Sequence, residues 1–407
     1  MRPLEEFHVE IEVLDPDENW FVIGLSVLDG PNVLAPSPLP SESEGTFVLD
    51  RSLLDGPDLL EGFGYAKPGY IWQEVTGISN DADIQRGIAE RQGVTAHPQS
   101  GSMSLKIKDP AYDALANPYI GVGNKIRIRA GADFAFLGHV TRLATEYTFS
   151  GLPIMSIQAS DAIARLNSIT MEPRPAETYS DRINAATEAG KINRHISGSG
   201  LNLNATDQPM TALELVKSAQ DSEASYVWVD RWNELHALER GEALGTPRFT
   251  FSNKREGHNV LITALQTSYD TDNVINHLTV NNMETVEGVL QTVQYTYADK
   301  TSASYYGVRK QSVTTALDPS ELKAYSNFVF RQFATAQRKI KRLEFVTDEF
   351  NSPSIPDITH LDVGDTIAID VEDLPHSAIP DYYSIERVAT ISHTINEQRW
   401  MTQISVV

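Results

Sequence analysis

Val122-Gly123-Asn124-Lys125-Ile126-Arg127-Ile128-Arg129 joins a glycine turn to a strand in which apolar and basic side chains alternate. The segment leads through Leu137–Leu143 to a closing strand at Met155–Gln158. Period-two alternation places one set of side chains on a core face and the other toward solvent or a partner. This order predicts a three-strand meander.

Val363-Gly364-Asp365-Thr366-Ile367-Ala368-Ile369-Asp370 repeats that order near the end of the chain, leading through Ile385–Ile391 to Met401–Ile404. The repetition predicts two similar β-domains in one polypeptide, so three copies would present six similar modules around one axis. The alternative is convergence, because antiparallel β-proteins commonly combine glycine turns with alternation.

The composition limits the classes of function. The 407 residues predict two to four domains at about 150 residues each, and 41% apolar residues exclude global disorder. Asp and Glu number 55 against 33 Lys and Arg, a net charge of -22 that repels phosphate backbones and disfavours sequence-specific nucleic-acid binding. The absence of cysteine excludes disulfides and thiolate chemistry. No apolar run has membrane-spanning length, and the acidic start is not a signal peptide.

The chain before the second meander is predicted to be β-structure interrupted by α+β segments. Strands are predicted at Phe7–Leu14 and Trp20–Leu28, then a Pro-rich arm or linker, with strands resuming near Tyr70 and from Ser102 to Ala159. Further elements are predicted as follows: helices at Asp161–Leu166 and Asp181–Ala189, a capping box at Thr211 and Glu214, and a hairpin of Tyr226–Asp230 with Leu235–Glu239.

The second β-region is predicted to contain a long helix. Strands are expected at Arg248–Ser252, Val274–Val280 and Thr292–Tyr297. A helix is expected to begin at Asp318-Pro319, which has the N-cap and first-turn pattern. Apolar residues continue at three- and four-residue steps, and basic residues at 338–342 match a helix C-terminus. The apolar stripe comprises Leu322, Tyr325, Val329, Phe333, Ala336, Ile340 and Leu343.

The sequence contains no strong catalytic, cofactor or metal motif, so we expect no enzyme activity, no cofactor and no metal site. Gly198-Ser199-Gly200 lacks the spacing of a nucleophile elbow. Asp357, His360, Asp362 and Asp365 form a possible metal cluster, but a turn into a strand explains these aspartates better. Paired carboxylates for glycoside hydrolysis remain an alternative, because folding sets their separation.

One constellation of basic residues suggests an interface. Five bases alternate with apolar residues on two strands, and we expect them to contact an acidic patch on another subunit or ring if those strands lie together. An ordinary solvated face, or protection of an edge strand, is the alternative. The five are Lys106, Lys108, Lys125, Arg127 and Arg129.

The ordered series of motifs over about residues 70–407 resembles the tail-tip hub, or minor tail, proteins of long-tailed actinobacterial phages. The series runs through Val75-Thr76, Ile84–Gly87, Gly101–Asp109, Gly123–Ile128, Leu137–Val140, Ile157–Leu166, Asp181–Asn184, Thr211–Ala219, Asn276–Val280, Tyr306–Arg309 and Leu361–Asp365.

The resemblance implies a mainly β fold with α+β insertions, in which two tail-tube-like β-barrel or sandwich domains are joined by smaller α+β domains. The expected organisation is an N-terminal arm at 1–69, a first tube-like domain at 70–170, an α+β insertion at 171–246, and a second tube-like domain at 247–316 and 347–407 interrupted by a long helix at 317–346.

The resemblance also implies a role in the virion. It suggests a homotrimeric ring at the tail tip, assembled in the host cytoplasm, that contacts the distal tail protein, the tape-measure protein and tip fibres or other minor tail proteins. The resemblance further implies functions in host attachment and genome ejection. DNA would pass through the bore of the ring, and the protein would not insert into a membrane. The chain stops after the second meander, so receptor-binding or wall-degrading domains are expected on other proteins.

Three alternatives stay open. A hexameric distal tail adaptor needs only one tube-like domain per chain, which the double meander disfavours. A glycan-binding or wall-cleaving tail protein would need paired acids. The spike-bearing hub of a contractile particle would share the fold.

Overall fold

The computed structural model describes most of the chain beyond the first 69 residues. The described residues are 7–14, 70–75, 82–89, 94–110, 113, 120–130, 133–147, 151–197, 200–254, 257, 259–269, 271–287, 289–347, 358–373, 381–396 and 399–407. Of the sequence predictions, the strand at Trp20–Leu28 and the Pro-rich stretch lie outside these residues.

The first third of the described chain is almost entirely β-structure. Its elements are β1 Phe7–Leu14, β2 Tyr70–Glu74, β3 Ala82–Ile88, β4 Pro98–Ile107, β5 Lys125–Ala130, β6 Asp133–Glu146, β7 Ile154–Ser160 and the short helix α1 Ala162–Ser168.

A compact α+β unit follows. Its elements are β8 Thr170–Met171, β9 Glu177–Thr178, α2 Tyr179–Gly190, β10 Arg194–Ile196, β11 Asn202–Leu203, β12 Met210–Thr211, α3 Ala212–Glu223, β13 Tyr226–Val229 and β14 Leu235–Leu238.

The remainder returns to β-structure with two helices. Its elements are β15 Phe249–Ser252, β16 Val260–Tyr269, β17 His277–Val286, β18 Val289–Ala298, α4 Lys300–Tyr306, β19 Lys310–Thr315, α5 Leu322–Phe333, β20 Arg338–Val346, a 3₁₀ turn at Ile358–His360, β21 Thr366–Val371, β22 Tyr382–Asn396 and β23 Arg399–Val406. The fold is mainly β, as predicted. None of the helices in the described part of the chain combines the length and apolarity needed to cross a membrane.

Two sets of six strands share one order of neighbours. The first set runs β1-β5-β6-β7-β4-β3, and the second runs β15-β21-β22-β23-β20-β16. In the second set β15 also pairs with β16, which closes a six-stranded barrel. The two sets are joined because the long strand β22 pairs along its second half with β3. The predicted meanders are therefore confirmed as β5-β6-β7 and β21-β22-β23.

The two meanders match in their hydrogen bonds. Gly123 N donates to Val140 O at 2.7 Å, and Val140 N donates to Asn124 O at 2.8 Å. In the second copy, Gly364 N donates to Val388 O at 2.8 Å, and Val388 N donates to Asp365 O at 2.9 Å. Both glycines have positive φ, +94° and +88°, a conformation that only glycine adopts without steric cost.

The same irregularity follows in both copies. The β6–β7 ladder shifts register between Val140 and Arg142, and the β22–β23 ladder shifts between Val388 and Thr390. A β-bulge adds one unpaired residue and bends its strand. Matching bulges beside matching turns are a local signature of a repeated unit.

Three apolar cores hold the chain together. The first includes Ile11, Ile126 and Ile157 from the first set of strands, and the second includes Phe251 and Phe345 from the barrel. The third fills the α+β unit and extends under α5. Each fully buried aliphatic or aromatic side chain contributes about 1.5–3 kcal/mol, so these interiors supply the main driving force for folding.

The α+β unit follows its predicted local signals. Thr211 accepts from Glu214 N at 3.1 Å and the Glu214 carboxylate accepts from Thr211 N at 2.8 Å, which completes the capping box of α3. Just before this unit, Asp161 caps the short helix α1 by accepting from Ile163 N at 3.0 Å. The hairpin of β13 and β14 pairs antiparallel as expected.

The long-helix prediction is wrong in its second half. Helix α5 ends at Phe333, Ala336 lies in the connection that follows, and Ile340 and Leu343 lie in strand β20. The β16–β20 ladder skips one residue of β20 between Ile340 and Arg342, so Ile340 and Leu343 both become buried. A bulge in a strand thus reproduced the three-residue spacing of a helix. The basic residues at 338–342 therefore do not cap a helix.

Strand β1 does not belong to a separate arm. The sequence places Phe7–Leu14 in the N-terminal arm, but the strand pairs with β5 and β2 in the first sheet. Val9, Ile11 and Val13 are buried in the first core. Their alternation is strong enough to make β1 an integral strand of that unit.

Candidate interaction surfaces

The five predicted interface bases do not form one cluster. Their strands, β4 and β5, are separated in the sheet by β6 and β7. All five alternate with residues buried in the first core, so each set does face away from that core. Lys106 and Lys108 are exposed on β4 and its end, whereas Lys125 is buried.

Arg127 and Arg129 are engaged inside the chain. Arg127 Nε donates to Glu10 Oε2 at 2.5 Å, and its guanidinium lies 4.1 Å from the ring centre of Trp72. Arg129 Nη1 lies 3.6 Å from Glu10 Oε1. These contacts fasten β1 and β2 to β5, so the two arginines have a structural role whether or not they also meet a partner. Lys106 and Lys108 remain the exposed part of the predicted interface.

A buried ion network joins three parts of the fold. Asp362 Oδ1 accepts from Arg86 Nη1 of β3 at 2.6 Å, and Asp362 Oδ2 accepts from Arg231 Nε of the β13–β14 turn at 3.1 Å. Burial alone would raise the pKa of Asp362, but Arg86 and Arg231 outweigh it and hold that pKa below its ordinary value. Asp362 is therefore the carboxylate on which the first sheet, the α+β unit and the barrel converge.

The aspartates considered as a metal cluster serve this junction and its turn. Asp365 Oδ2 accepts from Asp362 N at 2.8 Å and from Arg248 Nη1 at 3.2 Å. Asp357 lies outside the described residues. A turn that stabilises its own backbone with aspartate oxygens is the arrangement that the sequence favours over a metal site.

Asp230, Glu234 and His236 converge at the β13–β14 turn, with ligand-type atoms within 4.8 Å of one another. Asp230 Oδ1 accepts from Trp232 N and Glu234 N, each at 2.9 Å, and Asp230 Oδ2 lies 2.9 Å from His236 Nε2. This carboxylate is therefore occupied in shaping the turn, and the hairpin explains the cluster.

Strand β18 presents an uncharged edge. It pairs with β17 on one side, and no described strand pairs with its other side. Its ten residues, VLQTVQYTYA, carry no charge and no proline. Proteins normally protect such edges with lysine, proline or a covering element. An edge of ten uncharged residues with no partner strand in the described part of the chain is a candidate site for pairing with another strand.

A cleft of about 360 Å³ lies between the α+β unit, α5 and the barrel. Aromatic rings of Tyr226, Phe328 and Phe333 line it, together with charged Lys339 and Arg387. The Arg387 guanidinium lies 5.7 Å from the ring centre of Tyr226. Burial lowers the pKa of Arg387, against the opposing influence of the Glu242 carboxylate.

The chain shares its fold with two solved tail proteins. The prophage MuSo2 43 kDa tail protein from Shewanella oneidensis superposes with a TM-score of 0.52 at 14% identity, covering 82% of this chain and 95% of that one. The tail protein from Neisseria meningitidis MC58 superposes with a TM-score of 0.57 at 11% identity, covering 83% of this chain and 93% of that one. These similarities establish a common fold.

No protein-family model matches the sequence, and no curated protein matches it either. The similarity to these two tail proteins is therefore a similarity of fold.

Sequence reasoning missed the buried network, the β18 edge and the Arg387 cleft. The uncharged run at 289–298 was visible as a signal, because ten neutral β-prone residues in a chain with 55 acids are unusual. Arg86, Arg231 and Asp362 are far apart in sequence, so only the fold brings them together.

Proposed function

We propose that this chain is a structural component of a phage tail. The observation that carries the proposal is the pair of six-stranded sets with one strand order in a single chain. Its fold, shared with two proteins described as tail proteins over more than four fifths of this chain, supports the same role. Each set supplies one module of a ring, and β22 fixes the two modules relative to each other.

We propose further that the chain is the hub of the tail tip and acts as a homotrimer. Three chains with two modules each supply six modules, which match a sixfold tube above. In this arrangement the ring closes the tube, anchors tip fibres, and opens to release the tape-measure protein and the DNA. A closed ring also removes exposed strand edges, since each subunit covers its neighbour.

The net charge of -22 supports this role. A bore lined by acidic or polar residues repels the phosphate backbone, so DNA slides through it without being held. We propose that the protein acts by assembly and not by catalysis. A turbidity measurement on host cell walls tests this part, because a wall-cleaving protein would clear the suspension and a hub would leave it unchanged.

Native mass spectrometry tests the oligomeric state. The chain should give a trimer when mixed with the adjoining tail proteins. A hexamer would instead support a distal tail adaptor, which uses one module per chain and would leave the second six-stranded set without a place in the ring.

A further inference from the structure

Arg387 differs from the other buried arginines. Four arginines in the described part of the chain are buried: Arg86, Arg182, Arg231 and Arg387. Arg86 and Arg231 bind Asp362, and Arg182 Nε donates to Glu177 Oε1 at 3.1 Å. Arg387 has no carboxylate within ion-pair distance among the described residues, although it is only 6% exposed.

Leaving a buried guanidinium without an anion is costly. Taking a charge out of water costs several kcal/mol unless a partner compensates it. The Tyr226 ring offers Arg387 a cation–π contact, which is worth about 1–2 kcal/mol at a partly desolvated site. That contact leaves the N–H donors of the guanidinium available, and a planar guanidinium is suited to bind a carboxylate through two parallel hydrogen bonds.

The cleft beside Arg387 has room for that carboxylate. Its volume of about 360 Å³ falls in the range of sites that hold small ligands or a few side chains, roughly 300–1,000 Å³. Phe328 and Phe333 line it opposite the barrel, and Leu244 is 42% exposed and lines it as well. The other charged side chains in the lining are Lys339, Glu242 and Glu386.

Those other charges do not replace the missing anion. Glu242 is held by Ser197, whose Oγ donates to Glu242 Oε2 at 2.8 Å. Glu386 interacts electrostatically with Lys339. No described carboxylate forms an ion pair with the Arg387 guanidinium, and Glu242 favours its charged form only from a longer distance.

We propose that this cleft binds an acidic side chain, flanked by an apolar or aromatic residue, on a segment of a neighbouring tail protein. The carboxylate pairs with Arg387, and the adjoining apolar side chain packs on Phe328 and Phe333. Such an anchor, a charge pair inside an aromatic pocket, is the kind of contact that dominates protein interfaces. This partner presupposes the proposed role in a phage tail, but binding at the cleft does not require the chain to be a trimer.

Phenylacetate is a suitable probe, because it joins a carboxylate to an aromatic ring, and phenylacetamide is its neutral control. NMR titration of the wild-type protein should show phenylacetate binding at millimolar concentrations, and phenylacetamide binding at least about tenfold more weakly. Arg387→Met keeps an unbranched side chain and removes the charge, and this variant should lose the difference between the two probes. Arg248→Met is the matched control, because Arg248 also lies near an aromatic ring, Phe249, but is not part of the cleft lining.

Thermal unfolding separates a binding role from a structural one. Since Arg387 has no internal carboxylate partner, Arg387→Met should unfold at a temperature no lower than the wild type. A lower unfolding temperature would show that Arg387 stabilises the fold and would overturn the proposal. Equal binding of the two probes, or no binding of phenylacetate up to about 10 mM, would overturn it as well.

Cross-linking identifies the source of the carboxylate. A photoreactive residue at Leu244 in assembled tails should cross-link to a peptide with Asp or Glu close to an apolar residue. Probe binding without such a peptide would contradict the proposed protein partner and would leave a small carboxylate as the ligand.

Discussion

Arg86 Nη1 donates to Asp362 Oδ1 at 2.6 Å inside the protein, although 276 positions separate the two residues. Arg86 lies in β3, at the border of the first six-stranded set, and Asp362 precedes the first strand of the second meander. Arg231, from the α+β unit, shares the same carboxylate. One buried aspartate thus connects all three parts of the chain, which favours one rigid body over loosely tethered domains.

Removing the charge of Asp362 should destabilise the protein strongly. Asp362→Asn leaves Arg86 and Arg231 buried without their anion, and breaking a buried pair typically costs about 3–5 kcal/mol. Urea unfolding measures the loss. Glu188→Gln is the control, because Glu188 pairs with Arg194 at the surface and exposed pairs are worth about 0–1 kcal/mol. Equal losses in the two variants would show that Asp362 does not fasten the junction.

Two buried groups should give the stability opposite dependences on pH. Burial, aided by Arg86 and Arg231, lowers the pKa of His393 to about 3 from its ordinary 6.5. As the pH falls, His393 therefore takes up a proton in the unfolded chain before it does so in the folded protein. The stability contributed by neutral His393 is present above pH 6.5 and is lost as the pH falls toward 3. Burial raises the pKa of Asp161 from 3.8 to about 6, so Asp161 adds stability as the pH falls from 6 to 4.

Single variants separate these two effects. His393→Gln removes the titrating imidazole, so it should reduce the loss of unfolding free energy between pH 7 and pH 4.5. The amide oxygen can still accept from Trp400 Nε1, which lies 3.1 Å from His393 Nδ1. Asp161→Asn should make that loss steeper, because it removes the compensating gain. Urea titrations at several pH values check both. Unchanged pH dependence in both variants would contradict the assigned environments.

Charges on the β18 edge should block assembly without unfolding the chain. Thr292 and Thr296 are exposed on β18. Lysine at both positions should prevent the edge from pairing with another strand, as lysine does on edge strands of natural proteins. We expect Thr292→Lys with Thr296→Lys to stay monomeric at its wild-type unfolding temperature, as measured by native mass spectrometry and circular dichroism. Gln208→Lys with Thr301→Lys adds the same charge at exposed sites elsewhere and should assemble normally. Normal assembly of the β18 variant would exclude this edge from the interface.

The Glu10–Arg127 pair should contribute to folding more than to assembly. Because both side chains are largely buried and Arg127 also lies over Trp72, a double-mutant cycle should give a coupling energy of about 1–2 kcal/mol. Arg127→Glu should lower the unfolding temperature, and Glu10→Arg added to it should recover part of the loss. Lys106→Glu with Lys108→Glu should leave stability unchanged and weaken assembly, and strong assembly of that variant would mean that these lysines only aid solubility.

The sequence predicts local structure well at positions where a single physical requirement selects the residue type. Gly123 and Gly364 mark turns with positive φ, and Thr211 with Glu214 forms a complete capping box. Both meanders follow from alternation. The second half of the long helix failed because the bulge between Ile340 and Arg342 gives a strand the spacing of a helix.

Other features depend on which strands become neighbours. Alternation shows that Arg127 and Lys106 face away from the core, but the order of the strands decides that β6 and β7 separate them. The contact of Arg127 with Glu10 likewise forms because β1 pairs with β5 in the first sheet. No motif near Phe7 predicts that pairing. The cleft at Arg387 is formed by parts that are far apart in the chain. The burial of the Arg387 guanidinium without a carboxylate partner therefore cannot be predicted from the sequence.

The symmetry of the ring in intact tails tests the central proposal most directly. Electron cryomicroscopy of the tail tip should find three copies of this chain in one layer, with β5-β6-β7 and β21-β22-β23 occupying alternate positions of a six-membered ring. Six chains in one layer, each contributing a single six-stranded set to the ring, would contradict it.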